Sequence, residues 1–165
     1  MELLARACTI AGYLEQADQA YLWQPMPPLV SSVVLLQNTA GQVTAEPGGY
    51  LRLHWRNQPR TFAETCAMFT TAATALEHYG WGRILINQVD MSPFSPQEQL
   101  WISQQWLPEA VRASGYRFGA VVVAANVLTR LATAFVTTSF ADLPLRYRSF
   151  DAEQQAIAWL TQQPQ

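Results

Sequence analysis

Few residues in this chain could do acid–base or metal chemistry. The only histidines are His54 and His78, and neither has a second His or Cys at metal-ligand spacing. Every basic residue is Arg, which excludes Schiff-base chemistry, a phosphate-loop lysine and a lysine base. Two cysteines, Cys8 and Cys66, make no disulfide framework, which is typical of a cytoplasmic chain. We therefore expect no metal and no other cofactor.

The sequence motifs of common enzymes are also missing. There is no Gly-x-Ser-x-Gly for a hydrolase nucleophile, and no glycine-rich strand-to-helix loop for a dinucleotide or a phosphate. The acidic residues fall mostly at predicted helix starts and not in pairs. An enzyme is accordingly the least favoured functional class, and we expect no catalytic residue.

One loop is the first candidate for a binding surface. It follows the apolar run Arg83–Asn87 and is the most polar and irregular loop of the chain. Ligands and partners gather at the carboxyl ends of parallel strands in open α/β sheets. The candidate residues there are Asn87, Gln88, Asp90, Ser92 and Ser95, with Asn126 at the end of the next apolar strand. A structural role is the alternative, because Ser95, Pro96 and Glu98 together read as a helix start with a capping box.

Trp101, in the helix that begins at Ser95, is a separate candidate. At about 100° per residue, the buried face of this helix collects Leu100, Ile102, Trp106, Leu107, Ala110 and Val111. Trp101 points away from that face, so it is either an interface anchor or packed under loop 88–94. Pro108 lies inside the same helix, and we expect a kink or a restart at 107–108.

Strands and helices alternate along the chain around this loop. Three short strands separated by turns predict an antiparallel meander, over residues 33–38, 43–46 and 50–55. The later elements are a helix over 61–79, a strand over 83–87, a helix from 95 toward 114, a strand over 117–125, a helix over 126–138, an edge strand over 145–150 and a last helix capped by Asp151. The order βββαβαβαβα predicts the α/β class, with a mixed sheet that starts as an antiparallel meander and continues in βαβ units.

The helix over 61–79 begins with a capping box of Thr61 and Glu64 and ends at Gly80. Its predicted buried stripe is Phe62, Cys66, Phe69, Ala73 and Leu76. Cys66 is therefore expected to be a core thiol and not a nucleophile.

The chain is expected to be one domain with an N-terminal extension. Residues 1–30 predict a helical segment followed by a Pro-rich linker, and residues 31–165 predict a single α/β domain. Only 13% of the residues are charged and the net charge is −2, which excludes the basic surface of a nucleic-acid-binding protein. Low surface charge favours self-association, so a homodimer is one expected state. No apolar run reaches the roughly 18 residues of a membrane span.

Several segments resemble the STAS fold of bacterial anti-sigma-factor antagonists. RILINQVDMSPFS, at 83–95, is similar in position to that family's strand, Asp-containing loop and helix start, where a phosphorylatable Ser lies at the helix N-terminus. Residues 33–162 resemble more closely a group of bacterial STAS-like proteins with no established activity. The shared segments are GWGR at 80–83, PFSPQEQ-W at 93–101, WLP at 106–108, GYR at 115–117 and YRSFD at 147–151. In place of the antagonists' Asp-Ser-Ser-Gly, Pro93 and Pro96 flank Ser95.

The resemblance implies a STAS-like fold and a cytoplasmic regulatory role. Three functional hypotheses follow. The first is a non-catalytic module that binds a protein partner, or a second copy, through loop 87–95 and the start of the following helix. The second is a carrier that holds a small apolar ligand between the sheet and the helices. The third is an enzyme.

Overall fold

The computed structural model describes residues 27–139 and 141–165. The predicted helix within residues 1–30 lies outside the described residues. From residue 31 onward the described chain builds one sheet with helices on both faces. The six strands are β1 (Val33–Gln37), β2 (Gly41–Glu46), β3 (Tyr50–Trp55), β4 (Arg83–Asn87), β5 (Phe118–Val122) and β6 (Arg146–Phe150).

The strands lie in the sheet in the same order as in the chain, from β1 to β6. β1, β2 and β3 pair antiparallel, and β3 to β6 pair parallel. The prediction of an α/β protein with a mixed sheet that starts as an antiparallel meander is confirmed. β6 is an edge strand, as Pro144 and the alternating arginines predict.

Helices fill the three connections between the parallel strands, and one more follows β6. Crossovers between parallel strands are right-handed, and each new strand is added on the same side, so the connecting helices cover one face. The helical segments are α1 (Phe62–Tyr79), α2 (Pro96–Trp101), a π-helical turn (Ile102–Trp106), α3 (Leu107–Arg112), α4 (Val127–Thr138) and α5 (Glu153–Thr161). Within the described ranges, no helix is long and apolar enough to cross a membrane.

The sheet carries a large core on one face and a small core on the other. On the face covered by the connecting helices, Leu53 of β3 belongs to the same buried cluster as Phe69 of α1 and Trp106 of the π-helical turn. On the opposite face, Leu85 of β4 belongs to a smaller cluster with Leu160 of α5. Among the described helices, only α5 covers this second face, over β4, β5 and β6.

The second connection contains an irregular turn that changes which residues are buried. In the π-helical turn the N–H of Leu107 donates to the carbonyl of Ile102, five residues back. Pro108, which has no N–H, follows in the first turn of α3. We predicted a kink or a restart at 107–108, but the backbone stays helical at Trp106 and Leu107, and the irregularity is the π-helical turn before them. The wider turn rotates α2 relative to α3. Leu100 therefore leaves the predicted buried face and is half-exposed, which corrects the predicted stripe.

Two smaller predictions are wrong. Cys66 is only partly buried, because the buried face of α1 is rotated toward neighbours such as Thr65 and Met68. Burial raises the pKa of the Cys66 thiol, so the group remains protonated at neutral pH. We predicted Asp151 as the N-cap of the last helix, but the N-cap position is occupied by Ala152, the next residue. Its side chain makes no capping hydrogen bond.

Candidate functional site

The loop that follows β4 is held in place by the side chain of Arg60. Its Nη1 and Nη2 atoms donate to the carbonyl oxygens of Ser92 at 3.1 Å and Pro93 at 3.0 Å. Its Nε and Nη2 atoms each donate to a carboxylate oxygen of Glu98 at 3.0 Å. Both charged side chains are only 5% exposed, and the guanidinium lies 5.5 Å from the ring centroid of Trp55. A buried bidentate ion pair therefore fixes the loop.

Glu98 also completes the predicted capping box of α2. The backbone N–H of Ser95 donates to the Glu98 carboxylate at 2.7 Å, and the Ser95 hydroxyl accepts from the N–H of Glu98 at 3.2 Å. The hydroxyl of Thr65 in α1 donates to the same carboxylate. Burial by itself raises the pKa of Glu98, but hydrogen bonds from Arg60, Thr65 and Ser95 outweigh burial and hold this pKa below its ordinary value. Glu98 is thus ionised at neutral pH, and its partners lie within the protein.

An open cleft of about 440 Å³ lies beside this ion pair. Its lining includes Asn57, Ser92 and Ser95 as well as the ion pair itself. The hydroxyl of Ser92 donates to Oδ1 of Asn57 at 2.7 Å, and the hydroxyl of Ser95 caps α2. Both hydroxyls and both charges are engaged in holding the loop, so these groups organise the cleft and do not form a nucleophile–base pair.

Asn87 and Gln88 tie the end of β4 to two different helices. Nδ2 of Asn87 donates to Glu153 at the start of α5, and its Oδ1 accepts from the N–H of Val89 at 3.1 Å. Oε1 of Gln88 accepts from the hydroxyl of Thr133 in α4 at 3.0 Å. The two side chains therefore lie on opposite faces of the sheet, although they are neighbours in the sequence.

The remaining predicted residues also lie apart. Asp90 is exposed in the turn after β4. Asn126 caps α4, and its Oδ1 accepts from the N–H of Leu128 at 2.8 Å. Trp101 is half-buried against α1, with its ring centroid 6.0 Å from that of Phe62 in an edge-to-face contact. The structure does not bring the seven predicted site residues together on one surface.

Comparisons with family models, curated proteins and solved structures find no match for this chain. Within residues 27–139 and 141–165, no group of three His, Cys, Asp or Glu side chains is placed to hold a metal ion. The order of the strands does not reverse within the sheet. A reversal is what opens the usual ligand crevice of an open α/β sheet.

The outer face of α4 is an unusual surface for a helix that packs on a sheet. The helix turns small or polar side chains inward, and these are Thr129, Ala132 and Val136. It turns large apolar side chains outward, each between 49% and 65% exposed, and these are Val127, Leu128, Leu131 and Phe135. This is the reverse of the usual amphipathic arrangement. These four outward side chains, which we call the α4 face, are typical of an interaction surface.

Two further exposed apolar side chains flank the α4 face. The carbonyl of Val89 accepts from the N–H of Ala125, close to the start of α4, at 3.4 Å. Leu100 lies on α2, which contacts α4. Both side chains are more than one-third exposed. Exposed apolar side chains therefore also occur on the two elements next to α4, which are α2 and the loop after β4.

Sequence reasoning missed both Arg60 and the α4 face. The signal for the α4 face was present as apolar residues at i, i+1, i+4 and i+8 from Val127. Periodicity does not say which of two apolar stripes on one helix faces the sheet. Arg60 carries no local signal, because its partner Glu98 lies 38 residues away.

Proposed function

We propose that this chain is a non-catalytic regulatory module that acts by protein–protein interaction, of the STAS-like type that the resemblance implies. The α4 face is its docking surface, and a second copy of the chain is its partner. The observation that carries the proposal is the inverted helix, with its large apolar side chains outside. We place the docking surface on α4 and not on loop 87–95, because the polar groups of Ser92, Ser95 and Glu98 are engaged within the protein.

The composition of the α4 face favours a second copy as its partner. α4 contains no acidic residue, and its single charged residue, Arg130, donates from Nε to the carbonyl of Ala124. In a two-fold dimer the same patch meets itself. An uncharged centre avoids contacts between like charges across the two-fold axis, and interface centres are generally poor in charge. A partner of opposite charge would find little on this face to recognise.

The dimensions of α4 predict a reversible dimer. The helix has 12 residues and is therefore about 18 Å long. Stable interfaces bury roughly 800 Å² on each partner, and one helix face of this length supplies only part of that area. Val89 and Leu100 extend it. We expect monomer and dimer to exchange at micromolar concentrations.

The two other functional classes have less support. A carrier of a small apolar ligand needs an apolar pocket of several hundred Å³. The apolar cavity between the sheet and the helices measures about 40 Å³, and the adjoining cavity of about 210 Å³ has polar groups in its wall. An enzyme needs reactive groups that converge in a cleft. In the cleft beside the β4 loop, Arg60 and Glu98 are paired with each other.

Replacing Leu131 by Glu is expected to abolish self-association. The substitution places a charge at the centre of the α4 face in both copies, where the two charges would repel and lose water on docking. Leu131 is 61% exposed, so the fold should tolerate the change. Sedimentation velocity over a concentration series should show a rising average mass for the wild type and a constant monomer mass for the variant.

Val30→Glu is the matched control, because Val30 is an exposed apolar residue outside the α4 face. It should associate as the wild type does. A wild type that stays monomeric over the whole concentration series would contradict the second copy as partner. Equal loss of association in both variants would contradict the α4 face as the interface.

A further inference from the structure

The inner side of α4 lines a cavity that is distinct from the docking face. This cavity, of about 210 Å³, lies between the helix and the carboxyl-terminal parts of β5 and β6. It shares five lining residues with the apolar cavity of about 40 Å³, namely Gln88, Val121, Thr133, Thr137 and Tyr147. The outer cavity has hydroxyl, amide and guanidinium groups at its wall, and the inner one is bounded mainly by apolar and aromatic side chains. Together they form a mainly apolar pocket with a few polar groups in its outer part.

Gln88 places a hydrogen-bond donor at the junction of the two cavities. Gln88 is only 3% exposed. Its backbone is fixed, since its N–H donates to the carbonyl of Val122 and its carbonyl accepts from the N–H of Met91, each at 3.0 Å. The side-chain oxygen accepts from Thr133, but Nε2 donates no hydrogen bond to a residue in the described part of the chain. Gln88 is thus held in place with a side-chain donor that no described residue uses and that is not sealed in the core, so it is suited to a ligand that brings an acceptor into the cavity.

The charge around the cavity selects for an anion. Among the described residues, no Asp or Glu lines either cavity, and Arg130 is the one ionised side chain at the outer wall. The Nε atom of Arg130 is fixed by the carbonyl of Ala124, and its terminal nitrogens donate to no described residue. Burial raises the pKa of both Tyr116 and Tyr147, so neither phenol adds negative charge at neutral pH.

We propose that this cavity binds a small monocarboxylate with a short apolar tail. The carboxylate accepts from Nε2 of Gln88 and from the guanidinium of Arg130, and the tail lies along the apolar part of the pocket toward Val121. An outer cavity of about 210 Å³ has room for a molecule the size of benzoate. Ligand and docking face use opposite sides of one helix.

Benzoate is the probe that tests the site. The full chain, labelled with ¹⁵N, is titrated with sodium benzoate against a sodium chloride reference and followed by ¹H–¹⁵N correlation spectra. We expect saturable shift changes at the side-chain amide of Gln88 and at the backbone amides of Thr133 and Val121, with a Kd in the millimolar range. Benzamide, which is neutral and of the same shape, should bind about ten-fold more weakly.

Arg130→Gln should raise the Kd for benzoate about ten-fold. Arg148→Gln is its matched control, because Arg148 is exposed on β6 and its guanidinium lies over the ring of Phe150, away from the cavity. Leu131→Glu should bind benzoate as the wild type does, which separates this site from the docking face. The proposal is overturned if the cavity amides do not shift, if benzamide binds as well as benzoate, or if the two arginine variants lose affinity equally.

Discussion

Replacing Arg60 by Ala is expected to lower the free energy of unfolding by about 3–5 kcal/mol. The change leaves the carboxylate of Glu98 buried without its cation, and it also removes the donors that hold the carbonyls of Ser92 and Pro93. Breaking one side of a buried pair costs more than the pair itself contributes, because the remaining charge has lost both water and partner. Urea unfolding followed by tryptophan fluorescence measures the loss.

Glu98→Gln provides the second corner of a double-mutant cycle with Arg60→Ala. Both single variants disrupt the same contact, so the double variant should lose clearly less stability than the two single losses added together. Strictly additive losses would show that the two side chains act independently, contrary to their bidentate contact.

The pH dependence of the Glu98 variant follows from the direction of its pKa shift. The folded protein holds the pKa of Glu98 below its ordinary value. Its ionised form therefore contributes stability above the ordinary carboxyl pKa, and that contribution is lost as the pH falls through the folded pKa. The stability gap between wild type and Glu98→Gln should narrow as the pH falls below about 4. A gap that stays constant down to pH values well below this range would contradict the role of the charge.

Replacing Leu160 by Ala is expected to cost about 3 kcal/mol of unfolding free energy, within the usual range for a buried Leu. Leu160 of α5 is fully buried in the smaller of the two cores, together with Leu85 and Val122 of the sheet. That core has few members, so α5 has little other apolar contact to hold it on the sheet. Urea unfolding of the variant should show a single transition, with its midpoint at a lower urea concentration than that of the wild type.

Ile157→Ala is the control for this prediction, since Ile157 lies on the same helix and is only partly buried. Its loss should be less than half that of Leu160→Ala. Equal losses, or a separate early transition of α5 in hydrogen exchange, would mean that the small core is not part of the cooperative unit.

Local signals predicted the elements of this fold well. The strands over Tyr50–Trp55 and Arg83–Asn87 have the predicted bounds. Both capping boxes, Thr61 with Glu64 and Ser95 with Glu98, form as predicted. Each of these features depends on residues no more than a few positions apart, so a short stretch of sequence is enough to predict it.

The features that were missed are decided by contacts between distant segments. The partner of Arg60 lies on another helix, and the inward face of α1 is chosen by its packing on the sheet and not by its own periodicity. The same holds for α4, in which Ala132 and Val136 are buried and Leu131 is exposed. In the candidate site, Gln88 was predicted from its place after a strand, but its partner Thr133 is known only once β4 and α4 are adjacent.

The order of the strands has a consequence for the synthesis of this chain. When each strand of the described sheet after β1 leaves the ribosome, the neighbour with which it pairs has already been made. The sheet can therefore be assembled strand by strand from the β1 edge during synthesis. Of the described elements, α5 alone departs from this order, because it packs on strands β4 and β5, which are made well before it. Until residues 153–161 emerge, Leu85 and Val122 lack their cover. A nascent chain that stops before α5 would thus carry an assembled sheet with one open face, which is what chaperones and proteases act on.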